Sequence, residues 1–418
     1  MKSLLPCLVL AACTDGGSNI PEIPEVKSDL PRNSAPNVSP SDLAAVVAGN
    51  TAFAVDLYKQ VRTEQGNLFM SPHSISTALA MTFAGANGMT AAQMADALHF
   101  TLPPEQLHPA FNKLDLELAS RAASASGDTI PFRLTTANAI FGQKDWEFSS
   151  PFLDTLAVSY GAGLRVLDFA ADPEAQRLLI NEWVEAKTND KIKDLLPAGS
   201  ITDLTRLVLT NAIYFSAAWD EPFEASETAD RPFTIAGGQT VAVPTLHQNH
   251  ERGYGEGSGY KAAELPYDGN KLSMVVVVPD DLAAFEASLT AQKLGEITDS
   301  ISTHALDLTL PKFKFEAPLG LKKTLMNLGM VDAFMFDIAD FSGIDGTRRL
   351  AITDVLHKGF VAIDEKGTEA AAATAVIVGT TSLPQPATLV VDKPFVFFIR
   401  DIPTGAILFI GRVVDPRP

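Results

Sequence analysis

Cysteine is nearly absent: the 418 residues hold two, Cys7 and Cys13, both close to the N-terminus, so no disulfide framework can brace the rest of the chain. No apolar run reaches the roughly 20 residues that a membrane-spanning helix needs. Cations are scarce as well. Lys and Arg number 32 against 50 Asp and Glu, a formal charge of −18, and no basic cluster is long enough to grip a nucleic-acid backbone. The same scarcity argues against activation by heparin-like polymers. Catalytic signatures are missing too: the chain has no HExxH, no GxxxxGK[ST] phosphate loop and no dinucleotide fingerprint, so no cofactor is expected. His247 and His250 form an H-x-x-H without a third ligand in view, and no metal is expected there. Ser258 sits in "GEGSGY", but Glu256 and Tyr260 occupy the places where a nucleophile elbow needs glycines. Ser258 therefore reads as a turn residue, and an enzyme has no assembled nucleophile.

The chain begins MKSLLPCLVLAACTDGG, with a cation at Lys2, an apolar run from Leu4 to Ala12, and a small-residue site ending at Cys13. That is a processing signal rather than a fold element. It resembles the lipobox of bacterial lipoproteins, which implies that residues 1–12 are removed and that Cys13 carries a lipid. An ordinary secretory signal is the alternative. From Thr14 to Pro40 five prolines accompany Ser, Asn and Asp, with few large apolar residues. Residues 13–40 are expected to be a flexible tether, up to on the order of 80 Å long if fully extended. The expected location is the cell envelope, at an outer membrane or cell surface, with lipid as one partner.

Residues 41–418 carry no second linker and read as one folded unit. Ser41 is expected to cap a first helix. Ser71-Pro72 predicts a helix start with proline at the first helical position, and Gly85 and Gly88 its end. Thr90 and Gln93 suggest a capping box for the next helix. Further helices are expected over Pro173 to Lys187 and in "GLKKTLMNLG". Strand signals dominate the second half: "RLVLTNAIYF", "KLSMVVVVP", "HALDLTLPKFKF" and "PFVFFIRDIPTGAILFIGRVV" are β-branched, aromatic and often apolar on both faces, as in a sheet covered on each side. The fold class is α+β, with large mixed sheets and a set of helices.

One stretch resists that reading. "EKGTEAAAATAVIVGTTSLPQPATLVVDKPF" starts at Glu365 and has no charged side chain between Glu369 and Asp392. Composition alone leaves an Ala-rich linker or a short helix open. The segments "DEKGTEAAAATAV" and "VDKPFVFFIRDIPTGAILFIGRVVDP" resemble the serpin family, the serine-protease inhibitors and their non-inhibitory relatives. "NLFMSPHSISTALAM", "LTNAIYFSAAWDEPF" and "LPKFKFEAPLGLKKTLMNLGM" resemble serpin segments in the expected order, over about Ser41 to Pro418.

The resemblance implies a serpin fold with an exposed reactive loop. A target protease cuts the loop, and the freed segment inserts as a new strand of the large sheet, trapping the covalently bound enzyme. The chain would be a monomeric suicide substrate whose partners are serine proteases. The hinge would span Gly367, Thr368, Glu369, Ala370, Ala371, Ala372, Ala373 and Thr374. An inserting strand alternates faces, and Thr368, Ala370, Ala372, Thr374, Val376, Val378 and Thr380 share one that is small or β-branched and uncharged. Family spacing puts the scissile bond between Thr381 and Ser382, with Thr380-Thr381 and Ser382-Leu383 as the neighbouring alternatives. No Lys or Arg lies between Lys366 and Lys393, which excludes trypsin-like targets and suits the shallow pocket of elastase-like or subtilisin-like enzymes. By the same resemblance Ser71, Ser74, Asn211 and His357 hold the strands that must part, Trp219 underlies the first insertion, and Glu365 pairs with Lys312. A non-inhibitory serpin, acting as a binding or folding-helper protein, is the alternative.

Overall fold

The computed structural model describes residues 22–125, 132–368 and 384–417. Two mixed sheets, of eight and nine strands, carry the fold among these residues. The eight-stranded central sheet is organised by the Leu207–Ala218 strand, all twelve residues of which are buried. Its side chains alternate between two cores, as the period of a strand requires. Val208, Ala212 and Tyr214 face a cluster under the Pro173–Lys187 helix, with Phe141, Ile180, Trp183 and Phe360. Leu207, Leu209, Ile213, Phe215 and Ala217 face the larger core shared with the Pro40–Val61 and Pro72–Phe83 helices and the second sheet. Burial on both faces explains why this strand reads as a continuous apolar run.

The Leu207–Ala218 strand lies parallel to Val355–Ile363, paired from Val355↔Leu209 to Phe360↔Tyr214. At one end the two diverge, and the two-residue strand Gly367–Thr368 wedges between them. At the opposite end lie the loops 143–149, 199–206 and 328–354, which follow from the strand directions.

The first helix is capped by Ser39, not Ser41: the Ser39 side chain accepts from the Asp42 amide, and Pro40 takes the first turn. Ser71 caps the Pro72–Phe83 helix as its Ser-Pro pair suggests, whereas Gly88 opens the next helix rather than ending this one. The expected capping box does not form. Thr90 Oγ1 instead accepts from the Asp340 amide, and Gln93 Oε1 from the amides of Val331 and Asp332, so both side chains are spent on tertiary contacts.

A larger correction concerns the tether. From Glu22 onward the chain is seated on the body, so a free tether cannot extend to residue 40. Glu25–Val26 pairs antiparallel with Leu164–Leu167 as an edge strand, and Ile23 is buried in the cluster that also holds Phe141, Leu167 and Phe169. Arg32 Nε donates to Asn112 Oδ1 at 2.9 Å, and its guanidinium also pairs with Asp115. The segment shows no helical or strand period because neighbouring elements satisfy its polar groups one by one. If this strap is integral to the fold, Ile23→Ala should destabilise the protein by about 2 kcal/mol, the low end for such truncations. A denaturation midpoint unchanged from the parent protein would show that the strap contributes nothing.

Candidate functional site

The hinge end of the central sheet is built around a short wedge. Gly367 pairs with Ala218, while Thr368 pairs with Ala217 on one side and Ile363 on the other. Gly367 permits this because a Cβ there would lie 2.2 Å from the Ala217 carbonyl oxygen. Thr368 is buried, and its hydroxyl meets Tyr267 Oη at 2.7 Å. Burial pushes the Tyr267 phenol far above its ordinary pKa, so it stays neutral. Trp219 stacks on Tyr267 with ring centroids 4.7 Å apart, donates from its ring nitrogen to the Asp364 carbonyl at 3.0 Å and from its amide to the Lys366 carbonyl at 2.8 Å. Trp219 thus clamps the turn that precedes the wedge.

Lys312 Nζ meets both Glu365 oxygens, at 2.9 and 2.8 Å, and Thr228 Oγ1 donates to Oε1 at 2.9 Å. Burial pushes the Glu365 carboxyl up, but these hydrogen bonds outweigh it and leave the group below the usual carboxylate range. The pair fastens the turn to the neighbouring strand and is half-buried rather than solvated.

Halfway along the sheet, where the two long strands still pair, Asn211 and His357 stand opposite one another. The Ser71 amide donates to His357 Nε2 at 3.2 Å, so the ring proton sits on Nδ1 and is donated to Asn211 Oδ1. Asn211 Nδ2 donates to Ser74 Oγ at 2.8 Å and to Asn138 Oδ1 at 2.7 Å. Ser71 Oγ donates to the Leu408 carbonyl at 2.7 Å, tying the network to the second sheet. Ser71, Ser74, Asn211 and His357 are buried, Asn138 is half-buried, and the polar atoms of the buried four find partners as buried groups must. Asn138 was absent from the sequence-derived set. It sits in the break of "LTTANAIF", between the Arg133–Thr136 and Ala139–Gln143 strands, and an Asn at a strand interruption is the only signal it offers. Tyr267 and Thr228 gave no sequence signal.

Glu369, Ala370, Ala371, Ala372, Ala373, Thr374, the bond Thr381-Ser382 and Cys13 lie outside the described residues. The structure therefore brings Gly367, Thr368, Trp219, Glu365 and Lys312 together at one end, and Ser71, Ser74, Asn211 and His357 in the middle. His247 and His250 meet carboxylates, Glu227 and Asp307 for the first and Glu221 for the second, and among the described residues no group of metal-ligating side chains forms.

The family model described as serpin (serine protease inhibitor) matches residues 48–416. The chain is a serpin. It is 41% identical over 382 residues to the leukocyte elastase inhibitor of Bos taurus, covering 88% of this chain and 99% of that protein. An uncharacterized serpin-like protein of Thermococcus kodakarensis is 40% identical over 378 residues, covering 89% and 86%. Among solved structures, the thermophilic serpin tengpin in its native state superposes with a TM-score of 0.82 at 30% identity, covering 94% of this chain and all of that one. This serpin has the serpin fold, two large mixed sheets with a set of helices.

Burial holds the His357 imidazole down to about 3, against about 6.5 when unfolded. Between those values the unfolded chain binds the extra proton, so the contribution to stability is complete above pH 6.5 and is lost as pH falls toward 3. Its slope is about 1.4 kcal/mol per pH unit. Gln at 357 can accept from Ser71 and donate to Asn211 without titrating. His357→Gln should therefore lose about 2 kcal/mol less stability than the parent between pH 6.5 and pH 5. The other depressed histidines, His73 and His108, are common to both proteins and cancel. Parallel loss in thermal midpoints across that range would refute the assignment.

Proposed function

We propose that this serpin is a suicide-substrate inhibitor of elastase-like or subtilisin-like serine endopeptidases, exported and held at the cell envelope by a lipid on Cys13, and active as a monomer. The observation that carries the reading is the seat of Gly367 and Thr368 between the two long strands, which sets the register for everything that follows. In an inserted strand that continued this register, Ala370 would lie beside Phe215, Ala372 beside Ile213, and Thr374 between Asn211 and His357. The arriving residues are small where the large core is densest. Insertion must break the hydrogen bond between His357 and Asn211, and Thr374 has a hydroxyl to offer the parted pair.

The chemistry that starts the process belongs to the protease. Its serine oxygen attacks the Thr381 carbonyl, the bond to the Ser382 nitrogen breaks, and that nitrogen takes the proton and leaves as an amine. Thr381 remains as an ester on the enzyme. The likeness to the leukocyte elastase inhibitor, together with an uncharged loop, favours targets with shallow apolar pockets.

Thr368 is already buried in the resting form, so an arginine there would damage the hinge itself rather than test insertion. Ala372 is the better probe. Ala372→Arg would carry an unpaired cation into the core, a cost of several kcal/mol. The variant should be cleaved as a substrate with little SDS-resistant complex, while the parent forms complex with elastase or subtilisin. Equal complex yields from both would exclude strand insertion, and a parent that is cut without trapping would favour a non-inhibitory serpin.

Thr381→Arg should redirect trapping to trypsin and leave thermal stability within about 0.5 kcal/mol. Mass spectrometry of the released C-terminal peptide should find it beginning at Ser382. A start at Leu383 or Thr381 would move the scissile bond by one residue.

A further inference from the structure

The end of the central sheet remote from the hinge carries an apolar surface that trapping does not require. Met335, Phe336 and Ile338 are 41%, 53% and 54% exposed within four residues of one loop. The Gln93 side chain fixes the start of that loop, and Met89, one turn earlier on the same helix, is 64% exposed. Val331 is 38% exposed beside Gln93, and Leu204, in the adjoining 199–206 loop, is 69% exposed. Loops of this kind are ordinarily polar, and a cluster of large apolar side chains on one pole marks a contact surface.

Two further observations identify what covers it. The first is where the seated N-terminal strap begins. The Pro24 carbonyl accepts from the Val166 amide, and Glu25–Val26 runs antiparallel to a strand whose Leu167 end lies beside Gln143, so the chain reaches Glu22 at this same pole. Cys13 lies nine residues before Glu22, a reach of at most about 30 Å. The second is charge. The segments 143–149, 199–206 and 328–354 at this pole carry eight Asp and Glu against four Lys and Arg, so the contact is an apolar one that suits uncharged headgroups and is opposed by anionic ones.

We infer that the pole bearing Met335, Phe336 and Ile338 docks on the lipid bilayer that holds the acylated Cys13, so that the reactive loop points away from the membrane. The inference rests on the lipid-anchor reading above. The lipid supplies attachment, and the apolar side chains convert a loose tether into a fixed orientation. Inserted in register, Thr381 would arrive beside Leu204 and Leu350, past the start of both long strands, and bring its protease to this same pole. Docking and trapping therefore exclude one another, and capture lifts the pole from the bilayer while the lipid keeps the complex attached.

The test uses the full-length chain, processed in cells and reconstituted into phosphatidylcholine vesicles, with Met335→Cys labelled by an environment-sensitive dye. Val390→Cys, exposed and just beyond the reactive loop, is the control. The dye at 335 should shift to the blue and be quenched by headgroup spin labels, and the dye at 390 should do neither. Adding phosphatidylglycerol should weaken the shift, Phe336→Ser with Ile338→Ser should abolish it, and trapping of elastase should reverse it. Vesicle-bound protein whose 335 dye remains in water would overturn docking and leave the anchor intact. Mass spectrometry showing no acyl chain on Cys13 would remove the anchor and the inference together. A dye shielded on native membranes but not on pure lipid would point to a protein partner and overturn the lipid contact.

Discussion

The arrangement depends on one lateral contact, the parallel pairing of Leu209–Tyr214 with Val355–Phe360. Parallel neighbours are joined by evenly spaced slanted hydrogen bonds and are slightly less stable per residue than antiparallel ones. A strand entering between them would be antiparallel to both, as Gly367–Thr368 already is. The resting sheet thus holds its weaker pairing at the place where a better one is available. The network of His357, Asn211, Ser74 and Ser71 is the local lock on that pairing, because every member is buried and none can be withdrawn without leaving a polar group unsatisfied.

The turn before Gly367 shows how the end of that contact is closed. Trp219 and Tyr267 form a flat platform under the turn, Lys312 holds Glu365 from the side, and Gly367 fits where no side chain could. These contacts fix the first two residues of a prospective strand without opening the six pairs beyond. Half-burial gives the Lys312–Glu365 pair more weight than a solvated one.

The strap from Glu22 to Ser39 changes the picture of the N-terminus. Its edge strand, the buried Ile23 and the Arg32 contacts tie the chain to the central sheet and to the Pro104–Ser120 helix. The chain before residue 22 therefore leaves the body at a defined point, beside the end of the Leu164–Leu167 strand.

Much of the site was legible in the chain itself. The Ser-Pro helix start at Ser71 and the doubly apolar strand containing Asn211 are local patterns, because a helix cap and a buried strand each restrict residue type position by position. Tertiary placement alone decided the rest. Thr90 and Gln93 look like a cap in sequence, yet backbone amides some 240 residues away claim their side chains. The strap has no period to read, since an edge strand held by its neighbours needs none. Asn138, Tyr267 and Thr228 acquire their roles only when distant strands bring them against His357's partners, Thr368 and Glu365. A hydrogen bond between residues far apart in the chain leaves no mark on the local pattern of either one.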